Sequence, residues 1–116
     1  MRLGQTDTVD FLGIEKETGV VLVTLVDDCD WADELQHLKL LQAKVNRYLD
    51  FIESGEVYDQ LLQSTGVRVP TDRLVRINVL AKFPPPEEGH RFFEQVRGVA
   101  EQLGVRLNLK VVSSET

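Results

Sequence analysis

The alternation of apolar and polar residues predicts a β-hairpin at the start of the chain. In residues 7–14, Val9 and Phe11 alternate with polar neighbours, which is the pattern of a strand that buries one face. Residues 20–26 are almost continuously apolar and rich in β-branched side chains, as in a central strand that is covered on much of both faces. Gly19 ends the intervening turn, where it can adopt the positive φ that a short connection needs.

A long amphipathic helix follows the hairpin. Asp30 or Asp33 is placed to cap its first turn, because a short carboxylate accepts hydrogen bonds from the N–H groups that have no partner within the helix. Gly55 stands where the helix would end, and residues 57–62 indicate a short second helical piece. Apolar residues recur every three or four positions and predict one buried stripe, formed by Leu35, Leu38, Leu41, Val45, Tyr48, Leu49 and Ile52.

A third strand is predicted over residues 73–83, with Arg76, Asn78 and Lys82 on its outward face. Its inward face is formed by Val75, Ile77, Val79, Ala81 and Phe83. The three prolines at residues 84–86 end this strand, since proline cannot donate to a ladder.

A helix and a fourth strand complete the pattern. Glu87 and Glu88 favour a helix start, and the buried face of that helix is predicted to contain Phe92, Phe93, Val96, Val99, Ala100 and Leu103. Gly104 ends the helix. Residues 105–111 then alternate, with Arg106, Asn108 and Lys110 outward.

The predicted order is ββαβαβ, an α+β two-layer sandwich in which a four-stranded sheet carries two main helices on one face. Strand order stays open, and the last strand–helix–strand unit is right-handed if its strands are parallel. Residues 64–72 form a predicted loop, and residues 113–116 a frayed tail. The length of 116 residues and the apolar fraction of 42% predict a single domain over residues 1–116.

Charge is distributed unevenly along the chain. Residues 1–63 contain 13 acids and 5 bases, a balance of −8, whereas residues 64–116 contain 6 acids and 8 bases, a balance of +2, which together give the net charge of −6. A general nucleic-acid binder needs a basic surface, so nucleic acid is not an expected partner. A basic protein or a complementary second copy of the chain fits the charge better.

Other features bear on localisation. The longest apolar run is far shorter than a bilayer span, so no membrane association is expected. The first residues lack the apolar core of a secretory signal, and Cys29 is the single cysteine, too few for an internal disulfide or a zinc site. We therefore expect a cytoplasmic protein without a cofactor.

Four stretches carry a resemblance to a known family: TDTVDFLGIEKETG (residues 6–19), DWADE (residues 30–34), HLKLLQAKVNRYLDFIESGEVY (residues 37–58) and KFPPPEEG (residues 82–89). They resemble a family of small bacterial proteins that is known only as a domain of unknown function. The likeness covers most of the chain and is weakest over residues 59–72. It implies a bacterial, cytoplasmic, one-domain protein, and it implies no activity, cofactor or catalytic residue.

The sharpest chemical feature is a cluster of five acids within eight residues, Asp27, Asp28, Asp30, Asp33 and Glu34, followed by His37. On a helix, Asp33 and Glu34 lie four and three positions before His37, so either carboxylate could share a metal with the imidazole. A helical carboxylate site needs several such pairs from other helices, however, and this chain has one. Helix capping and a solvated surface are the favoured interpretation, with a metal site or a catalytic carboxylate pair as alternatives.

Three further residues have structural interpretations. Trp31 is predicted to pack as a hydrophobic staple near Leu35, with a binding anchor as the alternative. The neighbouring acids raise the expected pKa of Cys29 and favour a structural thiol over a nucleophile. His90 lacks the partners of a catalytic triad and is expected at the surface.

The outward residues of the last two strands predict a basic sheet face with Arg76, Lys82, Arg106 and Lys110, which lacks the aromatic residues of an RNA platform. Our leading hypothesis is a non-enzymatic protein-interaction module that binds a protein partner or itself, most simply as a homodimer. In such a dimer the basic face would contact the acidic helix start at residues 27–34 of the second copy. The alternative is a metal-binding protein or enzyme that uses Asp33, Glu34 and His37.

Overall fold

The structure, a computed structural model, describes residues 9–70 and 74–112. The predicted strand residues 7–8, the loop residues 71–72, Arg73 and the tail at residues 113–116 lie outside the described residues. The elements are β1 (Phe11–Ile14), β2 (Val21–Asp27), α1 (Glu34–Glu53), α2 (Glu56–Thr65), β3 (Val75–Ala81), α3 (Glu87–Gln102) and β4 (Val105–Val111).

The observed order of elements is ββααβαβ, which confirms the α+β class and corrects the predicted order ββαβαβ. The difference is α2, which the sequence indicated only as a short piece. Gly55 separates it from α1, because its φ of 85° is a left-handed conformation that a helix cannot contain. Val57 and Leu61 are fully buried on α2, so this helix is a third member of the helical layer.

The four strands form one mixed sheet in the order β1-β2-β3-β4. β1 pairs antiparallel with β2 through the predicted hairpin, and Gly19 has the expected positive φ of 74°. β2, β3 and β4 are parallel, so their carboxyl ends lie at the same edge of the sheet.

One face of the sheet is covered by the helices. The inward side chains of β2 and β3, such as Val23 and Ile77, are fully buried and join Leu41, Leu61 and Phe93 of the helices in one core cluster. The side chains on the other face of β2 are only half-buried. The prediction that β2 is covered on much of both faces is therefore met only in part. No helix within residues 9–70 and 74–112 is long and apolar enough to cross a membrane.

β1 faces the opposite way from the prediction. Phe11 pairs with the outward residue Thr24 and is 52% exposed, whereas Leu12 pairs with the inward residue Val23 and packs against the core. Paired residues share a face of the sheet, so this register decides which side chains of β1 are buried. The prediction that Phe11 is buried was therefore wrong.

The helix stripes were predicted only in part. On α1, Leu35 is 65% exposed, while His37, Lys44 and Phe51 are buried without having been predicted. On α3, Val99 is 51% exposed, because it lines a groove between α3 and α1 that the two helices leave open. Leu38, Ile52, Phe92 and Val96 are only partly buried, and Leu103 is exposed. Lys82 and Phe83 follow the end of β3, and Ser64 and Thr65 belong to α2 rather than to the predicted loop.

Candidate functional site

The acidic cluster lies between the carboxyl end of β2 and the start of α1. Asp33 caps α1, since its Oδ1 accepts a hydrogen bond from the Gln36 N–H at 3.1 Å. Asp30 Oδ1 accepts from the Ala32 N–H at 3.1 Å. Asp30, Asp33 and Glu34 are exposed to solvent. The prediction of capping is confirmed for Asp33.

Asp27 is not exposed like the other acids of the cluster, because it forms a buried pair with His37. Their side chains are 1% and 0% exposed, and His37 Nε2 lies 2.6 Å from Asp27 Oδ2. The other ring nitrogen, Nδ1, lies 2.8 Å from the backbone oxygen of Asp30. Both nitrogens of His37 are therefore engaged. Among the described residues no group of three His, Cys, Asp or Glu side chains could hold a metal ion.

The geometry determines how the pair holds its protons. A backbone oxygen only accepts, so Nδ1 of His37 donates to Asp30. The 2.6 Å contact between Nε2 and Asp27 Oδ2 is then a hydrogen bond whose proton is carried by the imidazole or by the carboxyl group. Burial is the main influence on Asp27 and raises its pKa, although the hydrogen bond and charge of His37 lower it. The pair joins the end of β2 to the first turns of α1.

Trp31 packs on this pair rather than on Leu35. Its ring is stacked on the His37 ring with 3.5 Å between centroids, and its edge lies against Gly89 at the start of α3. Trp31 thus packs onto the first turn of α1, as predicted, but at His37 rather than around Leu35, which is 65% exposed. Cys29 is half-buried, and burial first, then the nearby carboxylates, raise the pKa of its thiol.

A second buried charge pair was missed by sequence reasoning. Lys44 Nζ lies 2.8 Å from Asp10 Oδ2, and the two side chains are 0% and 1% exposed. Asp10 also accepts from the Val26 N–H, and Tyr48 bridges the Asp10 N–H and the Thr24 oxygen. The available signal was Lys44 itself, a cation three positions after Leu41 within the apolar stripe. This network fixes the chain before β1 against α1.

The outward side chains of the four strands together form the face of the sheet away from the helices. We call it the open sheet face. Its side chains lie in register in rows across the strands: Leu22, Arg76 and Arg106; Phe11, Thr24, Asn78 and Asn108; Val26, Leu80 and Lys110.

The open sheet face combines basic and apolar side chains. Arg76, Arg106 and Lys110 are its charged members, and none of its described strand residues is acidic. Arg76 lies 3.7 Å from Glu15 of the hairpin turn, while its buried Nε has no hydrogen-bond partner among the described residues. The structure thus places three of the four predicted bases on this face. Lys82 lies beyond the end of β3, near the ring of Phe83.

A repeated pattern accounts for the rows of arginine and asparagine. The sequences VRINV at residues 75–79 and VRLNL at residues 105–109 align in register, which sets Arg76 beside Arg106 and Asn78 beside Asn108. Like charges that face each other across a ladder are destabilising by themselves. The two arginines therefore concentrate positive charge on this part of the face, with Glu15 3.7 Å from Arg76 as a partial counter-charge.

The other residues that the sequence singled out lie away from the open sheet face. Trp31 and Asp28 are half-buried near the acidic loop, and His90 is exposed on α3, as predicted.

Comparison with known proteins agrees with the resemblance seen in the sequence. No curated protein and no solved structure matches this chain. Residues 1–113 match DUF6572, a family of unknown function. The chain therefore belongs to the DUF6572 family.

Proposed function

We propose that this protein is a non-enzymatic interaction module whose open sheet face binds an acidic surface of a protein partner. The observation that carries the proposal is the composition of that face: three bases, no acid among its described strand residues, and exposed or half-exposed apolar side chains beside them. Arginine and apolar side chains together are typical of protein interfaces. The side chain of Arg76, which is 27% exposed, and that of the exposed Arg106 can donate to a carboxylate.

The buried polar groups support a structural role for the rest of the molecule. His37 is held at both ring nitrogens, and Lys44 is held by Asp10. A catalytic acid, base or ligand needs access to its substrate, and both pairs lie away from solvent. The metal-binding alternative on Asp33, Glu34 and His37 gains no support, because His37 is engaged by Asp27 and Asp30.

Two other occupants of the face are outcomes of the test. A second copy could present its exposed acids around Asp30, Asp33 and Glu34, which would form the expected homodimer. Single-stranded nucleic acid is less suited, because Phe11 is the one aromatic residue on the described part of the face and nucleic acid is recognised by stacking on several.

The test is a titration of ¹⁵N-labelled protein with poly-L-glutamate of about 20 residues, followed by amide chemical shifts. We expect shifts at the outward residues of β2, β3 and β4. Arg76→Glu should weaken binding by about tenfold, equivalent to about 1.4 kcal/mol. Lys39→Glu, on the exposed surface of α1, is the matched control and should change binding little.

Three results would contradict the proposal. Shifts confined to the helices would show that the face is not the site. Tighter binding of a uridine oligonucleotide at the same ionic strength would indicate nucleic acid. Light scattering that shows a dimer, dissociated by Arg76→Glu, would identify a second copy as the partner.

A further inference from the structure

β4 is the outer strand of the sheet, and no described residue pairs with its far side. The Val112 N–H donates to the Ala81 oxygen at 2.7 Å, so even-numbered residues of β4 direct their backbone groups toward β3. The backbone groups of Leu107, Leu109 and Val111 consequently point away from the sheet. We call this side the β4 edge.

Most backbone N–H and C=O groups at the β4 edge have no hydrogen-bond partner within the part of the chain that the structure describes. The Leu107 oxygen accepts from Arg97 Nε at 3.3 Å. The outward N–H and C=O groups of Leu109 and Val111 have no partner among the described residues. An edge with such groups is a template for another extended segment.

The side chains of β4 restrict which segment fits. Arg106, Asn108 and Lys110 are exposed on the open sheet face, and β4 contains no acid. An added strand would place alternate side chains beside these three. Acidic residues four positions apart would meet Arg106 and Lys110, and a small polar residue would meet Asn108. A cleft of about 370 Å³ between α3 and β4 lies along the same edge. It is lined by Arg97, Glu101, Arg106, Leu107 and Asn108.

The same charges disfavour a second copy of β4. The antiparallel register that pairs all seven residues of β4 with themselves is centred on Asn108. It sets Arg106 directly opposite Lys110 of the second copy, twice, and like charges in such positions are destabilising. Charged edges are a recognised means by which proteins prevent self-pairing. A basic edge still accepts an acidic strand, so the charges select an acidic partner over a second copy of β4.

We propose that the β4 edge binds an extended acidic segment of a partner protein, which adds to the sheet as a fifth strand. This inference rests on the proposed function and names the form of the partner: a strand with acids four residues apart and a small polar residue midway between them. Backbone hydrogen bonds provide the affinity, and Arg106 and Lys110 provide the preference for acid.

The probe is an acetylated and amidated peptide of sequence Ser-Val-Glu-Val-Thr-Val-Glu-Val-Ser, whose palindromic order suits either strand direction. The control peptide has lysine at both glutamates. With the acidic peptide we expect hydrogen exchange at the Leu109 and Val111 amides to slow by about tenfold or more, because these N–H groups gain partners. Binding without this protection would overturn the proposal. Protection in the protein alone, growing with its concentration, would instead identify a second copy and overturn it too.

Two variants separate the edge from the face. Leu109→Pro removes an outward N–H and leaves the ladder to β3 intact, whereas Leu109→Ala keeps that N–H. The proline variant should bind the peptide about tenfold more weakly than the alanine variant, as judged by fluorescence anisotropy, and equal affinities would refute edge addition. If the proline variant does not fold, exchange in the parent protein decides.

Failure of this inference can be told from failure of the proposed function. Polyglutamate binding that Arg76→Glu weakens, without protection of Leu109 by the peptide, would refute the edge and leave the face. Peptide binding that Leu109→Pro abolishes, without any polyglutamate binding, would refute the face instead.

Discussion

Replacing Lys44 with methionine is the sharpest test of how the fold is held together. The lysine lies in the helical layer with its side chain 0% exposed, and its ammonium is 2.8 Å from the carboxylate of Asp10. Methionine keeps most of the volume and removes the charge. Asp10 would keep its hydrogen bond from the Val26 N–H but lose its contact with the ammonium group of Lys44, so the cost of burying its carboxylate would rise.

The expected loss of stability is about 3 to 5 kcal/mol, the usual effect of removing one partner of a buried ion pair. A chain of 116 residues has a total stability of about 6 to 17 kcal/mol, so the loss is a large fraction. Arg91→Met is the control, because Arg91 pairs with Glu87 and Glu88 while 62% exposed, and such pairs contribute about 1 kcal/mol or less.

Urea unfolding followed by tryptophan fluorescence measures the effect, with Trp31 as the single reporter. Combining Lys44→Met with Asp10→Asn should restore part of the loss, because the buried carboxylate is removed while an acceptor for Val26 remains. If Lys44→Met unfolds at the same urea concentration as Arg91→Met, the pair does not stabilise the fold. Losses that simply add in the double variant would show that the charges are not coupled.

Three other outcomes follow from the structure. Gly89→Ala should destabilise the fold, because a Cβ there would lie 2.8 Å from the Pro85 Cβ and 3.0 Å from the Trp31 ring. Gly98 has open space around it, so Gly98→Ala should stabilise α3 by up to about 1 kcal/mol, and thermal unfolding measures both effects. Leu41→Ala should cost about 2 to 5 kcal/mol in urea unfolding, and the half-buried Leu38→Ala clearly less; equal costs would contradict the assigned helix orientation. Because burial raises the pKa of Asp27 above its ordinary 3.8, the folded state holds this proton more tightly. The contribution of Asp27 to stability is therefore largest below pH 3.8 and is lost as the pH rises through the raised pKa, and a ¹³C carboxyl titration should show a midpoint above 3.8.

Much of the fold could be predicted because periodicity is a local signal. The alternation at Val75, Ile77 and Val79 identified an inward face that the structure keeps, and the glycines marked the ends of helices. Phe11 shows where local reasoning failed. A short strand can satisfy its alternation in either phase, and only its register with Thr24 decides which side chain faces the core.

The polar interior could not be predicted for a different reason. His37 was compared with Asp33 and Glu34, its neighbours along the helix, but its partner Asp27 lies ten residues earlier at the end of β2. Lys44 and Asp10 are 34 residues apart. Such pairs depend on how strands and helices pack, and no spacing rule for a single element includes them.

The arrangement of charge suggests how a partner would approach. The exposed acids of the regular elements lie on the helices: Glu34, Asp50, Glu53, Glu56, Asp59, Glu87, Glu88, Glu94 and Glu101. Asp10 and Asp27 add little to the surface charge, since both are paired inside the protein. The exposed acids of the described helices therefore lie away from the open sheet face, where Arg76, Arg106 and Lys110 lie and where Glu15 of the hairpin turn contacts Arg76. An acidic partner of the proposed kind would be repelled by the helical layer and attracted by the sheet, so that its encounters would be steered to one side of the molecule. Because charges at the rim of an interface act mainly on association, added salt should slow binding of an acidic partner more than it speeds dissociation.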